Sequence, residues 1–363
     1  MRIDYMNKLI QCIRREGLDG MLICPGEEME FLTGLRPMFC ERFQGLFVKA
    51  EGTAFYICNL LYEEELRRQL PPEIPVYPWF DGEVMTERVE AALREQGLLG
   101  SRIGVNRDAV AFQILEIMER VNVTFCNAKP LMEEMRIRKS EEELDGLRAS
   151  AAIVDQVYER VLERIRPGVT ELELQNFLLE EMSRLGGESP ECIVGVGANS
   201  SYPHYCGSEG VIGERDVVLM DYGCTCRGMY SDISRTVFVG EPTDRQREAY
   251  ELVKRSNEAA EDLVAEGAWI PDIDRKAREV LDEKGYAHTL INRLGHGVGY
   301  TIHEAPDIKQ SNPRKLERGM AFSIEPGIYL AGSFGIRIED VVIVNEKGAR
   351  EVLNRASKEL TVL

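Results

Sequence analysis

Apolar and polar positions run along this chain in two rhythms. The first occupies roughly its first third. Residues 4–16 carry apolar side chains at helical spacing and predict an amphipathic helix. "DGMLICPG" comes next as a short strand, and "EEMEFLTG" as a second helix. "GLFVKAEGTAFYIC" reads as a hairpin with Glu51-Gly52 at its turn. Helices and strands then alternate to about residue 131, the pattern of a small α/β domain.

The second rhythm is one of long helices with marked starts. Ser140 and Glu143 form a capping box ahead of "EEELDGLRASAAIVDQVYERVLERIR", which Pro167-Gly168 stops. Thr170 and Glu173 form another ahead of a helix ended by Gly186-Gly187. Thr243 and Gln246 open a third, Gly267 comes after it, and a shorter helix runs from about Asp272 to Lys284. A long helix plus a shorter one therefore occurs twice. The segments downstream of the two pairs also match: "GERDVVLMDYG" (213–223) and "LERGMAFSIEPG" (316–327) both read Glu-Arg, apolar strand, carboxylate, one residue, Gly. A second carboxylate comes 11 residues after Asp221, at Asp232, and 14 after Glu325, at Glu339. The boundary between the rhythms falls near 132–139, giving domains 1–133 and 134–363. The second domain is predicted to be a pseudo-twofold repeat of helices around an antiparallel sheet, and the whole chain to be α+β.

A length of 363 residues agrees with two domains. The net charge of −18, from 44 basic and 62 acidic residues, argues against a nucleic-acid coat and against an anionic membrane surface. The N-terminal residues lack a signal-type apolar core, and no apolar run is long enough to span a bilayer. Nine scattered cysteines without a CxxC read as reduced thiols in the cytoplasm, with "CTC" at 224–226 a buried or half-buried pair.

"GHGVGYTIHEAP" (295–306) holds two of only four histidines, seven residues apart and beside glycines. Asp221, Asp232, Glu325 and Glu339 sit at what look like apolar strand ends, where carboxylates are costly unless paired or bound to metal. Four converging acids would repel strongly unless two divalent cations neutralise them, and His296 would be the one imidazole ligand. Gly295, Gly297 and Gly299 would let the backbone pass close to the metals. Cys206 near His204 lacks the context of a Cys-His hydrolase, "GVGANS" lacks the third glycine of a dinucleotide loop, and His288 reads as structural.

Together these motifs resemble the pita-bread metallopeptidases, the family of methionine aminopeptidase, aminopeptidase P and prolidase. The likeness rests on Asp221 in "MDYG", Asp232 in "YSDISRT", His296 in "GHGVG", Glu325 in "IEPG" and Glu339 in "RIED". "FLTGL" (31–35) and "RIRKSEEEL" (136–144) extend it to the creatinase and prolidase branch, so it spans essentially the whole chain. The resemblance implies two divalent ions, Mn, Co or Zn, held by those five residues. It implies Asp221 on one ion through both oxygens, Asp232 and Glu339 bridging, and His296 and Glu325 on the other, with Glu325 as proton acceptor. His204 and His303 would meet the substrate, and Tyr329 would line its site and, like Arg337, stand behind the ligands as a partner that orients them. It further implies cleavage of the peptide bond before proline, as a Xaa-Pro dipeptidase or aminopeptidase. The substrate would be a small peptide, its length limited by the N-terminal domain, and the assembly a homodimer. Asn292 departs from the pattern, since Xaa-Pro peptidases carry a histidine four residues before the metal histidine. That departure keeps open a creatinase-like hydrolase or lyase acting on a non-peptide small molecule, alongside a non-catalytic peptide-binding module.

Overall fold

The computed structural model describes residues 1–363, and its contacts divide the chain into Met1–Met135 and Arg136–Leu363. No helix is long and apolar enough to cross a membrane.

In the first unit, strands β1 (Gly20–Ile23), β2 (Gly45–Lys49), β3 (Ala54–Asn59), β4 (Val76–Trp79), β5 (Arg102–Val105) and β6 (Thr124–Asn127) form one sheet in the order β4-β3-β2-β1-β5-β6. The β2–β3 hairpin turns at Gly52, whose φ of 111° only glycine adopts at no steric cost. Phe47 and Phe55 stack across that hairpin with ring centroids 4.8 Å apart. β1 is buried along its whole length, which explains its unbroken apolar run.

In the second unit all three capping boxes form, starting the helices Glu141–Leu162, Glu171–Arg184 and Asp244–Glu261; the helix Ile270–Asp282 completes two pairs. The strands are β7 (Glu188–Val196), β8 (Asp216–Cys226), β9 (Met229–Tyr230), β10 (Ile233–Val239), β11 (Gly295–Gly297), β12 (Glu304–Ile308), β13 (Ala321–Ile324), β14 (Gly327–Leu330), β15 (Phe334–Arg337), β16 (Asp340–Val344) and β17 (Arg350–Val352). The first helix pair covers β10-β8-β7 through Val154, Val157, Leu178 and Met182 against Val194, Met220 and Val237. The second covers β12-β11-β13-β16-β17 through Val253, Ile273 and Ala277 against Phe322, Ile324 and Val342. The expected antiparallel surface is thus built from two main sheets, one per repeat, with β14 and β15 pairing separately as a two-stranded ribbon. They meet at a bridge in which the Glu339 N–H donates to the Ser234 carbonyl at 3.1 Å.

The glycines of "GHGVG" are needed for a different reason than the sequence suggested. A Cβ on Gly295 would lie 1.9 Å from the Ser323 carbonyl oxygen, and one on Gly297 2.2 Å from that of Ala305. The close approach is therefore to neighbouring backbone. A Cβ on Gly299 would strike the side chains of Glu304 and Lys139.

Those two side chains belong to a buried charge cluster. Glu304, of "HEAP", pairs with Arg136 and Lys139, of "RIRKS", and none of the three side chains is more than 5% exposed. Arg136 also donates to Thr301 Oγ1 at 2.9 Å, and Thr301 Oγ1 donates to the His303 carbonyl at 3.1 Å. The cluster thus fastens the turn that presents His303. Burial alone would push the Glu304 carboxyl up, but Lys139 and Arg136 outweigh it and hold it below its ordinary value.

Glu304→Gln strips both cations of their shared counter-charge and is expected to cost about 3–5 kcal/mol of stability, read by urea denaturation at neutral pH. Because the folded carboxyl is depressed, its contribution is complete above the ordinary value of 4.5 and fades as pH falls through the folded value. The gap between the variant and the parent chain should therefore narrow in acid; a gap that is constant or absent would exclude the charge cluster as its source.

Candidate active site

Each sheet delivers two acids to the seam between the sheets. Asp221 lies inside β8 opposite Ser234 of β10, and Asp232 immediately precedes β10. Asp221 is therefore not at a strand end, because β8 runs on past it to pair with β7 and β9. Glu325 comes directly after β13 and Glu339 precedes β16, and the register Ile324↔Asp340 sets them side by side. His296 is the middle residue of β11.

The side chains meet there. His296 Nε2 stands 3.2 Å from Glu325 Oε1 and 3.6 Å from Asp232 Oδ2. Ligand atoms of Asp232, His296 and Glu339 all fall within 4.8 Å of one another. His296 Nδ1 is 3.2 Å from the Gly297 carbonyl, and Nε2 is the ring nitrogen that faces the acids. Asp221 lines the same cavity, but its Oδ2 accepts from Arg337 Nη2, where two metal-facing oxygens were expected.

Burial and mutual repulsion dominate the electrostatics. Asp232 is pushed well above the usual carboxylate range by burial and then by Glu339 and Asp221; Glu339 is raised by burial and then by Glu325 and Asp221. Burial also opposes ionisation of Glu325, but the adjoining His296 ring and Arg337 outweigh it and hold that carboxyl below its ordinary value. Glu339 Oε2 accepts from Ser234 Oγ at 2.7 Å, while Oε1 is buried with no hydrogen-bond partner. A partnerless buried oxygen among carboxylates and one imidazole nitrogen is the donor set of a divalent cation with oxygen and nitrogen preferences. The residues present fit such an ion.

Behind the acids, Arg337 is fully engaged. It donates from Nε to Ser234 Oγ at 2.7 Å, and from Nη1 to Tyr329 Oη at 2.8 Å and to the Pro203 carbonyl at 3.1 Å. Tyr329, expected at the substrate, is instead buried behind Arg337 and does not line the cavity.

The cavity measures about 760 Å³ and collects the four acids and His296 together with His204, His303, Asn292 and Arg293, against apolar walls that include Ile193 and Ile302. His204 and His303 are both exposed residues at its edge. The His303 and His296 rings meet edge to face at 4.3 Å. Burial, then the neighbouring imidazole, lowers His303 to about 4, so its ring is neutral at pH 7. His288 lies outside the cavity, its Nδ1 2.8 Å from the Gly285 carbonyl. Cys206 does not line it either; its thiol donates to the backbone carbonyl of His204.

Two contributors were missed in the sequence. Ser234 joins Glu339 to Arg337, and Arg293 gives the cavity wall a cation. Their positions beside "YSD" and "GHG" were the available signals.

Comparison with known proteins agrees with this geometry. Residues 145–346 match metallopeptidase family M24, and residues 6–138 match the creatinase/prolidase N-terminal domain. The chain is 35% identical over 351 residues to a probable dipeptidase PepE of Mycobacterium tuberculosis, covering 96% of this chain and 92% of that one. It is 31% identical over 364 residues to a Xaa-Pro dipeptidase of Lactobacillus helveticus, covering 99% and 98%. The solved structure of a recombinant prolidase from Thermococcus sibiricus superposes with a TM-score of 0.92 at 33% identity, over 99% of this chain and 98% of that one.

If the acids need a cation, divalent metal must stabilise the fold. Mn, Co or Zn at a hundred times its dissociation constant should add about 2.7 kcal/mol, seen as a rise in melting temperature that chelator reverses. Glu339→Gln should abolish most of that rise. A metal-independent melting temperature in the parent chain would refute the site.

Proposed function

The chain belongs to metallopeptidase family M24, with a creatinase/prolidase domain ahead of the catalytic one, and on that premise we propose that it hydrolyses the peptide bond before proline as a Xaa-Pro dipeptidase. The observation that carries this reading is a single cavity that gathers Asp221, Asp232, His296, Glu325 and Glu339 with His204 and His303.

Two divalent ions, Mn, Co or Zn, would be held by Asp221, Asp232, His296, Glu325 and Glu339. Bound there, they supply the Lewis acidity that acidifies a water and polarises the scissile carbonyl. Glu325, kept ionised beside His296, accepts a proton from the attacking water and returns it toward the leaving nitrogen. His303 donates an N–H to the carbonyl oxygen as charge develops on it. His204, at the cavity edge, hydrogen-bonds the leaving nitrogen. Arg337 acts through Asp221, whose orientation it fixes. Ile193 and Ile302 offer apolar surface for a pyrrolidine ring.

Arg293 favours dipeptidase over aminopeptidase. Its side chain is 33% exposed and pairs with Asp307, which also holds Lys309. Two cations share one carboxylate, so positive charge is left over for the free carboxylate that a dipeptide brings after proline. A cytoplasmic location is supported by nine free cysteines, and a homodimer by exposed Met38, Phe39, Leu60, Leu61 and Phe80 in the first unit. Those segments are neighbours, since Asp81 accepts from both Arg42 and Asn59.

Gly-Pro and Ala-Pro, their amides, a longer Xaa-Pro peptide and a panel of non-peptide amides, each assayed with added Mn, Co and Zn, test the reading. Cleavage of Ala-Pro, lost in a folded Glu325→Gln variant, is expected; metal binding with turnover of only non-peptide amides would replace it with the small-molecule alternative. Arg293→Gln should raise KM for Ala-Pro roughly ten- to a hundredfold and leave Ala-Pro amide unchanged. Sedimentation should find a dimer that a Met38→Ser/Phe39→Ser variant weakens; a monomeric parent chain would refute that assembly.

A further inference from the structure

We propose that Glu171 is a positioning residue for His204. The inference rests on the reading of His204 as a group that meets the substrate. His204 is exposed, so packing does not fix it, and it sits in the middle of the loop that joins β7 to β8. Something else must hold an imidazole there in working geometry.

Glu171 does so from the first position of the helix Glu171–Arg184. Its side chain is completely buried and has no cationic partner. Its oxygens instead accept four hydrogen bonds, all from that loop or its stems. Oε1 takes the Val196 N–H at 2.8 Å and Asn199 Nδ2 at 2.9 Å. Oε2 takes the Gly210 N–H at 2.8 Å and the Tyr205 hydroxyl at 3.0 Å. One carboxylate thereby gathers the residue that ends β7, a residue before β8 and the immediate neighbour of His204. The loop lies hard against it: a Cβ on Gly210 would be 2.5 Å from Glu171 Oε1. The helix N-terminus favours a negative charge at this point, which helps replace the missing cation.

The other neighbour of His204 is fixed from the opposite side. Pro203 gives its carbonyl to Arg337, the same guanidinium that grips Asp221. His204 is therefore suspended between two anchors, one tied to a metal-ligand partner and one to Glu171. Only a carboxylate offers acceptors to all four donors; a carboxamide would turn an NH₂ toward the Gly210 N–H or the Val196 N–H. The geometry thus makes the Glu171 charge a requirement for the place of His204, with no contact between Glu171 and substrate.

The experiment is a double-mutant cycle on the metal-loaded full chain with Ala-Pro. Glu171→Gln should lower kcat about ten- to a hundredfold while KM and metal content hold, and Tyr205→Phe should lower it less. Neither should lower kcat further in a His204→Ala background, because the group they position is gone. Losses that multiply in that background, or a Glu171→Gln enzyme with parental kcat, overturn the proposal. Should Glu171→Gln fail to fold, the Tyr205→Phe and His204→Ala cycle decides alone. A His204→Ala enzyme with full activity removes the role of His204, and the proposal falls with it. With only four histidines in the chain, ring NMR gives a readout independent of turnover. The His204 resonance should shift and broaden in Glu171→Gln, and an unchanged resonance refutes the inference. Failure of the parent chain to cleave Ala-Pro, with the resonance still responding, would sink the dipeptidase reading and leave the positioning intact.

Discussion

The second unit is organised by the cost of putting like charges together away from water. Asp221, Asp232, Glu325 and Glu339 share one cavity, and two of them are driven toward their protonated forms by burial and by one another. The protein's own side chains relieve only part of this: the Arg337 guanidinium pairs with Asp221, and the His296 ring adjoins Glu325. Glu339 keeps one oxygen with no hydrogen-bond partner. A fold that tolerates this arrangement has been shaped around positive charge it does not itself supply, and the metallopeptidase chemistry of the family grows out of that deficit.

The same constraint explains how neighbouring residues divide their work. Glu339 and Asp340 are adjacent acids whose side chains go to opposite faces, as strand geometry requires. Glu339 faces the cavity. Asp340 faces the interior, where Arg235 and Lys358 neutralise it and hold it below its ordinary value. Arg235 also donates to the carbonyls of Glu339 and Ala356. The backbone that aims a ligand into the cavity is thus braced by a buried ion pair directly behind it. A slip of one residue in this register would exchange the two acids and leave both in the wrong surroundings.

Much of this was legible in the chain because it was written in local patterns. The capping boxes at Ser140, Thr170 and Thr243 each start a helix, and the repeated Glu-Arg-strand-acid string marks two matching halves. The five metal-site candidates could be named because acids after apolar runs need a reason to be there. What escaped depended on contacts between distant segments. β7 begins with polar residues and declares itself only by pairing with β8. The glycines around His296 looked like room for a ligand, whereas Ser323 and Ala305 backbone fills that space. Tyr329 comes after the "EPG" turn as a substrate residue might, yet Arg337 draws its hydroxyl inward. The loop tie at Glu171 involves residues 25 to 39 positions away, beyond the reach of any local signal.

The seam between the two sheets has a consequence for ancestry. Asp221 and Asp232 come from one half; His296, Glu325 and Glu339 come from the other; and the halves meet where Ser234 bridges Glu339. Neither half owns a complete ligand set. A forebear consisting of a single half could have assembled such a centre only by pairing with a twin, so the chemistry would first have lived at a contact between separate polypeptides. Joining two such halves in one polypeptide would turn a meeting of two molecules into an internal crease and leave each half free to differ, as the aspartates of one and the glutamates and imidazole of the other do.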